Sequence, residues 1–272
     1  VDIGGVTYSG TQLRAATDQI KRGIASVVDR VVSMEIHRSF VRAVHRPMRP
    51  GKVVTGQTVD YLVLNYDTIL ETALALERVP YADGLDGGVT AWWQPEVFDR
   101  DGLSARVYKL HGSIDWRELP NESLPRRIGR GLDTDAAREL PIVIWPASTK
   151  YREVQLDPYA QLADRARRVL RPRSDSQRVL IACGYRFGDA HINSELERGL
   201  RESEGDLTIV AFTSDDEPSG TLAAWRADES LTNQLLVFAR RGFFHGGQIL
   251  VSEADLPWWK FENITRLLGG ER

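Results

Sequence analysis

Val59-Asp60-Tyr61-Leu62-Val63-Leu64-Asn65-Tyr66-Asp67 is the stretch that decides the fold. Six residues rich in β-formers run straight into an Asn, and helical spacing follows over residues 68–77. The same pattern returns downstream. Arg106-Val107-Tyr108-Lys109-Leu110 ends at His111-Gly112-Ser113, and Pro141-Ile142-Val143-Ile144-Trp145 ends at Pro146. Residues 178–182 end at Gly184-Tyr185-Arg186-Phe187-Gly188-Asp189, and residues 207–212 end at Thr213-Ser214-Asp215. Residues 248–251 read as a sixth strand. Helical patterns fill 158–170 and 191–201. Most of these strands are continuous apolar runs, as expected of strands covered on both faces. Strand–helix alternation then predicts an α/β fold, a doubly wound, mostly parallel sheet with helices on both faces.

Working outward, residues 11–45 carry apolar positions at helical spacing, with Thr11 as the expected cap. Pro47, Pro50, Gly51 and Gly56 stop that helix. Gly84, Gly87 and Gly88 predict loop, as does the stretch 120–132. Residues 217–247 carry few strong signals and read as an insertion. The expected organisation is one domain over 1–272: a helical segment at 11–55, a motif-bearing core at 55–215, and a C-terminal extension at 216–272 that completes the sheet.

Composition narrows the function classes. With a net charge of −3 and a pI near 6.0 there is no overall positive field, so direct nucleic-acid binding is not expected. The basic run at 165–173 has helical spacing and reads as a solvated helix face. A single cysteine, Cys183, excludes an internal disulfide and a four-cysteine zinc site. No apolar run approaches the roughly 18 residues of a membrane span. The first residues do not form a secretory signal, and the default expectation is a cytoplasmic protein.

In open parallel sheets, ligands bind beyond the carboxyl ends of the strands. The unusual polar residues fall at those ends: Asn65 and Asp67, His111 and Ser113, Lys150, Tyr185 to Asp189, and Thr213 to Asp215. An imidazole such as that of His111 accepts a proton near neutral pH. Asn65 and Asp67 also suit the start of a helix, as cap and first-turn acid. Gly184 and Gly188 allow close approach to a ligand, and the helix after them offers its amino end to a phosphate.

Three blocks together resemble a known family: Leu64-Asn65-Tyr66-Asp67; Lys109-Leu110-His111-Gly112-Ser113-Ile114-Asp115-Trp116; and Gly184-Tyr185-Arg186-Phe187-Gly188-Asp189-Ala190-His191-Ile192-Asn193. They are similar to the sirtuin-like domains of bacterial anti-phage defence proteins, over roughly residues 55–215. Residues 146–150 resemble that family's proline-and-lysine segment. The resemblance implies a Rossmann-like sheet that holds NAD as a substrate and releases nicotinamide by attack at the ribose anomeric carbon. By the same resemblance Asn65 orients the attacking water or the nicotinamide ribose, and Asp67 lies near the nicotinamide. His111 contacts the ribose hydroxyls and acts as base, with Ser113 beside it. Gly184, Tyr185 and Asp189 line the phosphate and ribose portion, and Thr213 and Ser214 meet the adenosine ribose. Because the zinc module of deacetylase sirtuins needs four cysteines, the branch implied is NAD hydrolysis without zinc. NAD depletion in abortive infection is the implied role, in a homo-oligomer or beside a partner protein of a defence complex.

Residues 1–58 contain no Gly-Ala-Gly phosphate loop of the kind that opens this family, and Arg186 stands where Ser is frequent. Two readings stand ahead of a third, an ADP-ribosyltransferase, for which nothing in the sequence marks an acceptor site. The chain is an NAD hydrolase whose glycine-rich strand lies outside this sequence, or it is a catalytically degenerate NAD- or ADP-ribose-binding scaffold subunit.

Overall fold

The computed structural model describes residues 2–3, 5–45, 58–118, 122, 124–128, 140–143, 157–171 and 177–270. They cluster into two compact units. Val1–Arg38 and Val54–Asp164 form the first, and Ser39–Val53 and Arg165–Arg272 form the second.

The first unit opens with a short hairpin of β1 (Asp2–Ile3) and β2 (Val6–Thr7), followed by α1 (Gly10–Val28). Ser9, not Thr11, caps α1. Its hydroxyl accepts from the Gln12 amide at 3.2 Å, and the Gln12 side chain accepts from the Ser9 amide at 2.9 Å. The helical stretch 11–45 divides, with α2 at Glu35–His45.

Next come β3 (Val59–Val63), α3 (Ile69–Leu76), β4 (Tyr81–Ala82), β5 (Leu85–Gly87), β6 (Ala91–Trp93) and β7 (Ala105–Lys109). Strands β8 (Gly112–Glu118), β9 (Arg126–Arg127) and β10 (Leu140–Val143) follow. β3, β7 and β4 make a parallel sheet with β7 in the middle. Gly112, at φ +86°, turns the chain directly back after β7. Residues 112–118 therefore run as a strand of a second, antiparallel sheet ordered β10-β8-β9-β6-β5. That sheet corrects three expectations. The strand expected at 141–145 pairs antiparallel with β8 instead of joining the parallel sheet. The expected loops at 84–88 and 120–132 contribute β5 and β9. Aromatic rings fill this unit. Trp93 meets Trp116 edge-on with centroids 5.7 Å apart, and Phe98 lies 4.8 Å from Tyr108.

After α4 (Tyr159–Leu170), the second unit runs β11 (Arg178–Ala182), α5 (Ala190–Glu202), β12 (Leu207–Phe212), α6 (Gly220–Ala227) and β13 (Leu235–Ala239). β14 (Gly242–His245), β15 (Gln248–Val251) and α7 (Phe261–Gly269) complete it. Its sheet is ordered β11-β12-β13-β14-β15, parallel through the first three strands and antiparallel through the last two. Residues 217–247 contribute β14 and β13, the middle strand of this sheet. Leu235, Val237 and Ala239 on it are fully buried. Among the described residues β11 is an edge strand, and Val179 and Ile181 on it are exposed.

The chain is a mixed α/β protein. The described parallel strands form two sheets, one in each unit, where one mostly parallel sheet was expected.

Gly84 provides a packing test. Its φ is +90°, and an added Cβ would run into the Trp93 ring. Gly84→Ala combines strain with a clash, and chemical denaturation should show a loss above about 1 kcal/mol.

Candidate functional site

In the first unit, β3 and β7 pair in parallel with Val63 opposite Lys109. Two residues further along each strand stand Asn65 and His111. The backbones stay side by side past the strand ends: Leu110 donates to the Val63 carbonyl at 2.9 Å, and Ile114 donates to the Tyr66 carbonyl at 2.8 Å. Adjacent strands lie about 4.8 Å apart, so Asn65 and His111 leave neighbouring strands at the same end. Asn65 is exposed and His111 half-buried.

The structure separates two roles that local sequence left mixed. Thr68 occupies the cap position of α3 and makes no side-chain bond there. The Asp67 carboxylate accepts from the Ile69 amide at 3.1 Å. Asp67 therefore does the work of a capping acid, while Asn65 is not used as a cap.

Beneath these residues lies a pair that sequence reasoning did not single out. Lys109 is fully buried, donates to the Asp67 carbonyl, and sits 3.3 Å from Oε1 of Glu71 on α3. The ammonium thus ties the end of β7 to the turn after β3. Burial pushes the Glu71 carboxyl up to about 7, and attraction to Lys109 offsets that only in part. Oε2 of Glu71 is buried without a hydrogen-bond partner among the described residues. The available signal was a charge inside each of two apolar patterns, Val107-Tyr108-Lys109-Leu110 and Ile69-Leu70-Glu71.

Ser113 does not lie on an exposed turn. It is 1% exposed within β8, and its hydroxyl donates to Asp115, whose other oxygen accepts from Arg127 at 2.6 Å. Arg127 also pairs with the buried Asp83. This network holds the turn that carries His111.

In the second unit, β11 and β12 pair in parallel with Ala182 opposite Ala211. Gly184–Tyr185 and Thr213–Ser214 therefore leave adjacent strands at the same end. Gly184 has φ +69° and open space where a Cβ would stand. Ser214 is exposed, and the Thr213 hydroxyl accepts from the Asp215 amide at 3.2 Å. The Tyr185 hydroxyl donates to Oδ1 of Asn193 at 2.7 Å. Asn193 in turn donates to the Phe187 carbonyl at 2.7 Å and to Thr221 at 3.1 Å. This Asn, not singled out from sequence, locks the Gly184–Asp189 turn against α5 and α6.

Asp189 caps α5, accepting from the amides of His191 at 3.1 Å and Ile192 at 3.4 Å. A carboxylate thus occupies the amino end that was expected to meet a phosphate. Cys183 is half-buried, and burial pushes its thiol up to about 11, as suits an unreactive cysteine. The segment 146–150, including Lys150, lies outside the described residues.

A family model for the SIR2-like domain matches residues 60–233, from β3 into the turn before β13. The chain belongs to the SIR2-like domain family. All three motif blocks fall within that span, and β13 to β15 fall outside it. A search of curated proteins finds no match. Among the described residues of this SIR2-like chain no cluster of three His, Cys, Asp or Glu is arranged to hold a metal ion. No described helix is long and apolar enough to cross a membrane.

The buried pair generates two expectations. Lys109→Met alone leaves the Glu71 carboxyl buried without its cation and should cost about 3–5 kcal/mol in denaturant unfolding above pH 7, whereas Lys109→Met with Glu71→Leu should recover most of that loss. The pH dependence has a definite sign. The unfolded chain releases the Glu71 proton near 4.5 and the folded chain near 7, so the fold binds the extra proton between those values. This group's contribution to stability therefore falls as pH rises through that window. Glu71→Gln should flatten the corresponding slope in thermal melts between pH 5 and pH 7.5 relative to wild type.

Proposed function

We propose that this SIR2-like chain hydrolyses NAD to nicotinamide and ADP-ribose, with Asn65 and His111 at the reacting end. The observation that carries the reading is the β3–β7 register, which delivers a carboxamide and an imidazole from adjacent strand ends. Family membership supports an NAD-related activity.

In this reading, water attacks the ribose anomeric carbon as the bond to nicotinamide breaks. The pyridinium leaves as neutral nicotinamide, and the water proton passes to His111 and then to solvent. Since the leaving group is already cationic, the protein's task is to stabilise an oxocarbenium-like ribose and to orient one water. Asn65, exposed and unused as a cap, is assigned to that water or to the ribose. Asp67 keeps its carboxylate on Ile69 and shapes the turn. Ser113, with its hydroxyl engaged by Asp115, acts by holding the His111 turn. In the second unit, Gly184 with its open flank and exposed Ser214 with Thr213 stand at adjacent strand ends, an arrangement suited to a phosphate or a ribose hydroxyl. Tyr185 and Asp189 are assigned to forming that turn. NAD depletion during phage infection is the setting proposed from the motif resemblance.

One observation favours a second reading, a nucleotide-binding subunit without turnover: the Asp189 carboxylate fills the α5 amino end. Incubating the purified chain with NAD and measuring free nicotinamide separates the two. Hydrolysis predicts release, with His111→Ala and Asn65→Ala each lowering the rate by about 10²-fold or more while the melting temperature holds. Wild-type rates in both variants overturn the assignment. A rise in melting temperature with NAD, without product, establishes the second reading.

A further inference from the structure

β15 is the outer strand of the second unit's sheet, and its four residues, Gln248-Ile249-Leu250-Val251, carry no charge and are all exposed. Ile249 is 55% exposed, Leu250 67% and Val251 75%. Soluble proteins blunt such edges with charge, proline or cover. Among the described residues none of these stands on β15.

The hydrogen-bond phase of the edge is fixed. Ser252 donates to the Arg241 carbonyl at 2.8 Å, so its amide faces β14. By alternation the backbone groups of Gln248 and Leu250 also face β14, and those of Ile249 and Val251 face outward. An antiparallel strand added here by two-fold symmetry can place Leu250 opposite its own copy. Ile249 then exchanges hydrogen bonds with the copy's Val251, and Glu253, in the bend that follows β15, comes near the copy's Gly246–Gly247 turn.

That register meets a charge requirement beside the same hairpin. The Arg226 guanidinium lies 4.9 Å above the Phe244 ring and reaches the Gly246 carbonyl at 3.5 Å. It has no carboxylate partner among the described residues, and its buried Nε has no hydrogen-bond partner there. Glu253 is exposed and has no ion pair among the described residues. Symmetry would bring each Glu253 to the copy's Gly246–Gly247 turn, where Arg226 sits, so the two complementary charges meet twice. The same axis sets the copy's Leu250 beside an apolar cleft of about 370 Å³ lined by Phe238, Phe243, Leu250, Leu256 and Trp258.

We infer that β15 is a self-association edge: a second copy of this chain pairs antiparallel to it, centred on Leu250, and joins two five-stranded sheets into one. Self-complementary pairing of one patch on both copies is the two-fold arrangement commonest among oligomers. The interface stands apart from the catalytic reading, and its strand, β15, lies outside the segment matched by the SIR2-like family model.

Light scattering of the purified chain at micromolar concentration tests it. The expected mass is twice 30.6 kDa. Val251→Pro removes an amide that faces away from β14, so the variant should fold with an unchanged melting temperature and run as a monomer. Arg226→Glu and Glu253→Arg should each raise the dimer dissociation constant at least about tenfold, and the double swap should restore it. Should Val251→Pro fail to fold, Leu250→Cys in a Cys183→Ser background keeps the question decidable, because Leu250 stands opposite itself and should form an intermolecular disulfide on mild oxidation. A monomeric wild type overturns the inference. So does a dimer that survives Val251→Pro, or a Leu250→Cys chain that does not cross-link.

Discussion

Lys109 carries an ammonium group at zero exposure, and the turns around the candidate site are arranged to satisfy it. It bonds the Asp67 carbonyl on one side and faces Glu71 on the other. A buried charge with one partner removed is strongly destabilising, so the fold keeps the turn after β3, the first turns of α3 and the end of β7 together. That constraint fixes where Asn65 and His111 emerge. The β3–β7 register sets them at the same end, and the buried pair prevents the two turns from drifting apart. Ser113, Asp115, Arg127 and Asp83 supply a second brace on the His111 side. Asn65 and His111, the proposed reacting groups, thus leave braced strand ends, which is where a site that depends on orientation has to be built.

The second unit uses neutral hydrogen bonds to the same end. Asn193 collects Tyr185, Phe187 and Thr221, and the left-handed backbone at Gly184 and Phe187 is held by that network. Phe187 is not a glycine, yet it adopts φ +54° with its ring buried against Tyr185 and Trp225. Packing and the two bonds to its carbonyl, from Asn193 and Thr221, sustain that conformation.

Much of the local structure was legible in the sequence. β3, β7, β11, β12 and β15 lie where apolar runs end in polar residues, and the three motif blocks fall within the SIR2-like family match. Local pattern does not encode which strands share a sheet. Short apolar runs such as Leu235–Ala239 have no period that separates a core strand from other buried structure, so β13 went unread. β9 is two residues long and exists only because β8 and β6 flank it. The roles of Lys109, Glu71 and Asn193 were hidden for a related reason. Each depends on a partner distant in the chain, and a single charge or amide within an apolar pattern does not identify that partner. Asp67 and Asp189 show the converse. Their capping bonds reach only two or three residues along the chain; Asp67 suited a helix start from sequence alone, whereas the helix behind Asp189 was expected to keep its amino end open to a phosphate.

The central claim is that the shared end of β3 and β7 is where NAD meets the chain. Imidazole NMR reads this without requiring turnover. With the signals of the histidines assigned by substitution, NAD is titrated into the full chain. The account predicts a saturable shift of the His111 ring resonances while those of His245, bonded to the Leu235 carbonyl, stay in place. Binding of NAD that leaves the His111 signals unmoved would contradict it.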